Sequence, residues 1–328
     1  MLRPFEEILP DLAGELSDLE SRRRVLHAQA NKGWVTIAGI VVGGGLLALL
    51  IVSGGSPGGA IATGVISLIA SGFVGYYQIQ IPKQEFASAF KNEVIGPIAA
   101  KLGEGLQYDP TGKIEPPVYM ASELFQTHFD RYNGEDLLYG TVGKTSLAMS
   151  ELHTEYETTS TDKDGNTQTH WQTIFRGLFV VADFPKNFNG KTFVRPDAAE
   201  KAFGFIGRSL QKMTTSFSDA KLVQLEDPIF EKEFVVNATD QVEARYILST
   251  SMMQRMLEVR RKFDANVSFA FVSNHIFIAI SLTKNLFEPE FSRDVSDTSY
   301  LREYYDQLAT CIGVIDDLAL NLRIWGKE

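Results

Sequence analysis

The chain reads as an α+β protein: an N-terminal helix, a two-helix transmembrane hairpin, then a soluble domain in which helices pack on an antiparallel sheet. Three observations carry this reading. Residues 33–82 hold no charged side chain, and a Gly-Gly-Ser-Pro-Gly-Gly turn at 54–59 cuts them into two apolar halves. Downstream, stretches rich in Thr, Tyr, Phe and Val alternate with turn residues, as antiparallel strands do. Between and after these strands lie segments whose apolar residues recur at helical spacing.

Residues 1–32 form the first region. Pro10 suits a first helical position and Asp11 a first turn, while Leu9, Leu12, Leu16, Leu19 and Leu26 follow a 3-4 spacing with Arg23 in the remaining slot. Fewer than three apolar heptads predict a helix docked on the protein's own domain, with a partner helix as the alternative.

The hairpin occupies 33–81, with spans at 33–53 and 58–81, each near the roughly 20 residues that cross a hydrocarbon core of about 30 Å. A signal peptide would have a shorter apolar core, nearer the start of the chain. Gly39 and Gly43 form a G-x-x-x-G pair in span one, and Thr63, Ser67, Ser71 and Gly75 recur every four residues in span two. Small residues let helix backbones approach closely in lipid. Packing of one span on the other is the first expectation, homo-oligomerisation the second. Neither span carries Asp, Glu, Lys, Arg or His, so the usual residues of an ion or proton pathway are missing. Arg22, Arg23, Arg24 and Lys32 precede span one and Lys83 and Lys91 follow span two. Basic flanks favour the cytoplasmic side, which places both termini there.

The third region, 82–328, is large enough for a real core. A net charge of -10 argues against a general nucleic-acid surface, and a single cysteine, Cys311, against a disulfide scaffold. Phe86, Phe90, Val94 and Ile98 continue a helical stripe out of span two, limited by Pro97 and Gly103. Residues 118–130 have a helical pattern with Leu124, Phe125 and Phe129 as its apolar face. Leu147–Thr159 and Gln168–Val181 read as two strands of a hairpin with an Asp164-Gly165 turn, which sets His153 opposite Arg176 and Glu157 opposite Gln172. Glu151, His153, Glu155 and Glu157 then share a face, read as solvated, with a ligand surface as the alternative. Strands follow at Leu222–Leu225, Glu233–Val236 and Val242–Leu248, then a helix at Thr250–Phe263. A last hairpin pairs Val267, Phe269 and Phe271 with Ile276, Ile278 and Ile280. A C-terminal amphipathic helix, 298–325, carries Leu301, Leu308, Ile312, Ile315, Leu322 and Trp325 on one side and buries Cys311.

Most chemical motifs fail. Gly140–Ser146 resembles the end of a phosphate loop, but position 138, where the first glycine belongs, is Leu. Asp162, Asp164 and Gly165 hint at a calcium loop whose twelfth position is Trp171 instead of Glu. The five histidines lack metal-ligand spacing, so no metal or cofactor is expected. What remains is a set of polar residues in apolar context: Asp183, Glu226, Asp227, Asp240, Glu243 and Arg245. If 242–248 is a strand, Glu243 and Arg245 share its face. The set then either satisfies turns, caps and an ion-pair network, or binds a cationic or phosphorylated ligand or works as an acid-base pair.

Several linked segments resemble a known family: E-D-L-L-Y-G at 135–140, S-E-L at 150–152, F-R-G-L-F-V-V-A-D-F at 175–184, L-E-D-P-I-F-E-K-E-F at 225–234 and A-R-Y-I-L-S at 244–249. They are similar to the bacterial family called domain of unknown function 3137. The resemblance implies a bacterial inner-membrane protein and brings no catalytic residues; it also suggests a membrane protein of the LemA type as partner. The expectation is a membrane-tethered cytosolic binding or scaffolding protein without catalysis of its own. The alternative is a membrane-attached, hydrolase-like enzyme using the Asp227, Glu243 and Arg245 region.

Overall fold

In the computed structural model, the residues described are 2–103, 105–161, 163, 165, 167–184, 187–197, 219–318 and 320. They divide into two compact units, one of Pro4–Ile98 with Phe287–Tyr305, the other built on Ala99–Leu286 and the chain from Asp306. The fold is α+β, with long N-terminal helices and an antiparallel sheet carrying further helices.

In the first unit, α1 (Phe5–Ser53) is a single helix of 49 residues, so the predicted N-terminal helix and span one are one element. It starts at Phe5 with Glu6 and Glu7 in its first turn, and Pro10 lies inside it rather than at its start. Its N-terminal half buries Phe5, Ile8, Leu12, Leu16 and Leu19. Arg23 fills the next slot and is itself buried, its guanidinium donating to both oxygens of Glu20 at 2.7 and 2.8 Å. Glu20 also accepts from the Val295 amide at 3.1 Å, and Arg23 donates to the Phe291 carbonyl at 3.0 Å. With these donors around it, the Glu20 carboxyl is held down at about 2.

The chain turns at 54–56 into α2 (Pro57–Gly75). Both α1 and the helical run Pro57–Leu102 are long and apolar enough to cross a membrane. Gly33, Ile37, Ile40, Gly44, Ala48 and Ile51 are the less exposed side of span one, at spacings of three and four. Opposite them stand Thr63, Ser67, Ser71 and Gly75, none of them fully exposed. The close approach uses Gly44: a Cβ there would fall 2.0 Å from Ser67 Oγ. Around Gly39 and Gly43 a Cβ would meet nothing within 4 Å. The expected glycine pair thus points away from span two, because each residue turns a helix by about 100° and Gly43 sits one residue off the packed face. Near Gly33, which abuts Gln78 and Ile79, the exposed aromatics Trp34, Tyr76 and Tyr77 gather beside Lys32 and Lys83.

Beyond α2 the helix continues through a π-helical turn (Tyr76–Gln80), α3 (Ile81–Phe90), a second π-helical turn (Lys91–Ile95) and α4 (Gly96–Leu102). Each π-turn ends two residues before a proline, Pro82 or Pro97. A proline removes a helical N–H and crowds the preceding turn, and local widening relieves that conflict without ending the helix. Pro97 therefore does not stop the run, although Gly103 follows its last residue. Phe86, Phe90, Val94 and Ile98 are fully buried, as the stripe predicts.

The second unit holds nine described strands: β1 (Gln107–Asp109), β2 (Arg131–Val142), β3 (Thr145–Thr161), β4 (Thr167–Asp183), β5 (Thr192–Pro196), β6 (Lys221–Leu222), β7 (Phe234–Ala238), β8 (Val267–Val272) and β9 (His275–Ser281). They form one antiparallel sheet in the order β1-β2-β3-β4-β9-β8-β5-β7-β6. Helices α5 (Pro116–Ala121), α6 (Pro228–Glu233), α7 (Gln241–Ile247), α8 (Thr250–Phe263) and the part of α9 (Thr298–Asp317) from Asp306 onward belong to the same unit. Both faces are buried at the centre, where consecutive residues Leu178, Phe179 and Val180 of β4 are all inaccessible.

Four expectations change here. Residues 118–130 are helical only to Ala121: Ser122 turns its hydroxyl onto the Tyr119 carbonyl at 2.6 Å and Glu123 takes a positive φ, so the chain leaves the helix with Leu124 still buried. Strand β2 had no counterpart in the sequence reading, and Gly140, the near-miss phosphate-loop glycine, lies within it. Residues 242–247 lie in helix α7, capped by Asp240, instead of a strand. In the β3–β4 hairpin His153 does face Arg176, but a bulge after Thr154 shifts the register, so Glu157 faces Trp171 and Thr161 faces Thr167. Five residues therefore lie between the last paired positions, too many for a two-residue turn; of these, Asp162, Asp164 and Asn166 lie outside the described residues.

The helix at Thr250–Phe263 and the Val267–Ile280 pairing are found as expected. In α9, Leu301, Leu308, Cys311, Ile312 and Ile315 are buried. Leu322 and Trp325 lie outside the described residues, as does the helix's predicted continuation to 325. Burial pushes the Cys311 thiol up to about 12, which suits a packing residue.

Candidate functional site

The six polar residues singled out in the sequence occupy separate local roles. Asp227 caps α6, accepting from the Ile229 and Phe230 amides at 2.9 and 3.1 Å. Asp240 caps α7 in the same way, accepting from Val242 and Glu243 at 2.8 and 3.0 Å. Glu243, on the buried side of α7, accepts from the Asn189 amide at 3.1 Å and the Gly190 amide at 2.7 Å. Arg245 donates to the Gln241 carbonyl at 3.0 Å and reaches the Gln224 carbonyl at 3.4 Å. Because 241–247 is a helix, Glu243 and Arg245 point to opposite sides, and the shared strand face does not exist. Asp183 ends β4 beside His275, 3.5 Å away with both half-exposed, and Glu226 is exposed ahead of α6.

A cleft forms elsewhere, on the face of the sheet that holds Glu151 and His153. Its floor is a row across three strands, Asn133 of β2, His153 of β3 and Arg176 of β4, with Glu135 opposite Glu151 in the next row. Its wall is the segment 282–286 that follows β9. Two bonds seat this segment: the Leu282 amide donates to the Arg176 carbonyl at 3.0 Å, and the Leu286 amide to Glu151 Oε1 at 2.6 Å. Glu151 is buried by this contact, so the expected solvated face is only partly open. The enclosed space is about 320 Å³, lined by Asn133, Glu135, His153, Arg176, Lys284 and Asn285 among others. That volume reaches the lower range of small-ligand clefts.

Local backbone features aim the side chains. A bulge between Glu135 and Leu138 breaks the pairing of β2 with β3, and Asp136 takes a φ of 61° there. Bulges redirect side chains: Glu135 faces the cleft while Asp136 is buried and accepts from the Tyr108 hydroxyl. Burial, and then the neighbouring carboxylate, push the Tyr108 phenol well above its ordinary value. Gly177 has a φ of 145°, and a Cβ there would fall 2.0 Å from the Ile280 carbonyl oxygen. Only glycine lets β9 approach β4 this closely beside Arg176.

Hydrogen bonding in the cleft is uneven. Glu135 Oε1 accepts from Asn285 Nδ2 at 2.9 Å, and Asn285 Oδ1 accepts from Arg176 Nη2 at 3.3 Å. His153 Nε2 lies 3.3 Å from Thr173 Oγ1 and 3.7 Å from Glu155, which also faces Arg131 at 3.9 Å. Of these residues the sequence reading had singled out Glu151, His153, Glu155 and the His153–Arg176 pairing. It gave no role to Asn133, Lys284 or Asn285; Glu135 appeared only within a motif.

Residues 173–320 match the family described as Protein of unknown function (DUF3137). That match covers a little under half of the chain. The match takes in the Arg176 and Lys284 side of the cleft, and the β2 and β3 residues precede it. No curated protein matches the chain. Among solved structures, the crystal structure of the mycobacterial trehalose monomycolate transport factor A, TtfA, is similar at 12% identity, with a TM-score of 0.30, covering 62% of this chain and 88% of that one. A likeness of that degree transfers neither fold nor function to this chain.

Proposed function

We propose that the protein is a membrane-anchored binding or scaffolding protein of the bacterial inner membrane, with both termini in the cytoplasm and no catalysis of its own. The observation that carries this is the hairpin: two charge-free helices with Trp34, Tyr76, Tyr77, Lys32 and Lys83 gathered at one end and an uncharged turn at the other. Aromatic and basic side chains favour a membrane interface, and basic flanks the cytoplasmic one. Partners are the bilayer and another membrane protein, with a LemA-type protein or a second copy of the chain as the candidates. The rival reading, an attached hydrolase using Asp227, Glu243 and Arg245, needs these groups available to a substrate. Asp227 and Glu243 are instead bonded to main-chain amides. Co-purification of the tagged full-length chain from native membranes tests the proposal: a reproducible membrane-protein partner is expected, and repeated recovery of the chain alone counts against it.

A further inference from the structure

We propose that the cleft of β2, β3, β4 and the 282–286 segment binds an oxyanion, a carboxylate or phosphate group of a small ligand, through Arg176 and Lys284. This rests on the reading of the protein as a binder and names the chemistry of its site.

The argument lies in which groups are already engaged. Both carboxylates lining the cleft already accept hydrogen bonds, Glu135 from Asn285 and Glu151 from the Leu286 amide. The donors, by contrast, are under-used. The Arg176 guanidinium has five N–H groups, and its one described side-chain bond is the 3.3 Å contact to Asn285. Lys284 is exposed and has no hydrogen-bond or ion-pair partner among the described residues. Asn285 stands between Glu135 and Arg176 and bonds both, so Glu135 meets an amide rather than the guanidinium.

Geometry supports the same class of ligand. Arg176 and His153 are directly opposite on neighbouring strands, and Lys284 follows β9 two residues after the Leu282 amide that bonds the Arg176 carbonyl. Two cations and a histidine thus flank one opening, two of them on strands held in register. A planar guanidinium presents parallel N–H bonds that match the two oxygens of a carboxylate or phosphate, and an ammonium adds a mobile donor. Two larger hollows suit an anion less well. A groove of about 510 Å³ along α1 has Glu20 and Arg24 bonded to each other, and one of about 380 Å³ beside α8 has Arg260 held by Glu233 at 3.1 Å.

The test uses the full-length chain in neutral detergent, with inorganic phosphate as probe followed by phosphorus NMR and acetate as competitor. Phosphate binding is expected, weakened at least about tenfold in both Arg176→Gln and Lys284→Gln, as loss of a charged hydrogen bond implies. Lys163→Gln, outside the cleft, is expected to bind as the parent does. Displacement by acetate identifies the general oxyanion class; phosphate binding that acetate leaves intact narrows the site to phosphate. Absence of phosphate binding, or equal binding by all three variants, overturns the proposal. Either overturning result leaves the membrane-anchored reading standing, because that reading fails on topology and partner recovery, which are measured without phosphate.

Discussion

Glu243 illustrates how a residue that resembles a catalytic acid can be a brace. Its carboxylate receives the Asn189 and Gly190 amides, and its own amide is received by Asp240. Removing a buried acceptor strands the donors it served, so Glu243→Ala should lower unfolding stability by about 1–3 kcal/mol. Glu226→Ala, on an exposed position, should change it by less than about 0.5 kcal/mol. Urea unfolding of the two variants decides; an unchanged midpoint for Glu243→Ala would mean the brace contributes nothing. Glu20 makes a different prediction. Its bonds to Arg23, Arg24 and Val295 hold its pKa at about 2 in the folded chain, below the ordinary 4.5. A depressed carboxyl stabilises the fold fully above its unfolded pKa, and that stability is lost as pH falls from 4.5 through 2. Thermal unfolding across that window should show a steeper acid loss for the parent than for Glu20→Gln, and parallel curves would refute the assignment.

The spans approach each other most closely at one glycine and one serine, Gly44 and Ser67. Gly44→Leu must push a side chain into Ser67 and should destabilise the hairpin by about 1–3 kcal/mol, whereas Gly43→Leu enters open space. Equal melting of the two in the same detergent would put the packing face elsewhere. That choice between adjacent glycines was not readable from G-x-x-x-G spacing, since both Gly39 and Gly43 satisfy it and neither meets span two. What was readable had an unbroken period: the charge-free spans, the long β3–β4 hairpin, α8 and the final hairpin. Strand β2 escaped because Gly134, Gly140 and the bulge at Glu135 interrupt its alternation. Helix α7 was mistaken for a strand because Val242, Ala244 and Tyr246 alternate with Glu243 and Arg245. The Asp240-x-x-Glu243 pattern was the competing signal, an N-terminal helix cap with Glu three residues on. The cleft was half legible: hairpin register put His153 against Arg176, but its wall arrives more than a hundred residues later and leaves no local pattern.

For the chain as a whole, location and chemistry separate. The apolar hairpin lacks Asp, Glu, Lys, Arg and His, while the cleft lies in the other unit. A reporter fused at Ser56 should be active only outside the cytoplasm, and one at the C-terminus only inside it; a periplasmic C-terminus would overturn the orientation. The uninterrupted α1 carries a mechanical consequence. From Phe5 to Lys32 it extends about 40 Å beyond the span as the same rod. A tilt of about 10°, well within the range that bilayer thickness imposes on helices, swings its far end by about 7 Å. Read as a membrane span, residues 33–53 are the short arm of a lever, and on that reading a change in membrane thickness becomes a displacement at Phe5.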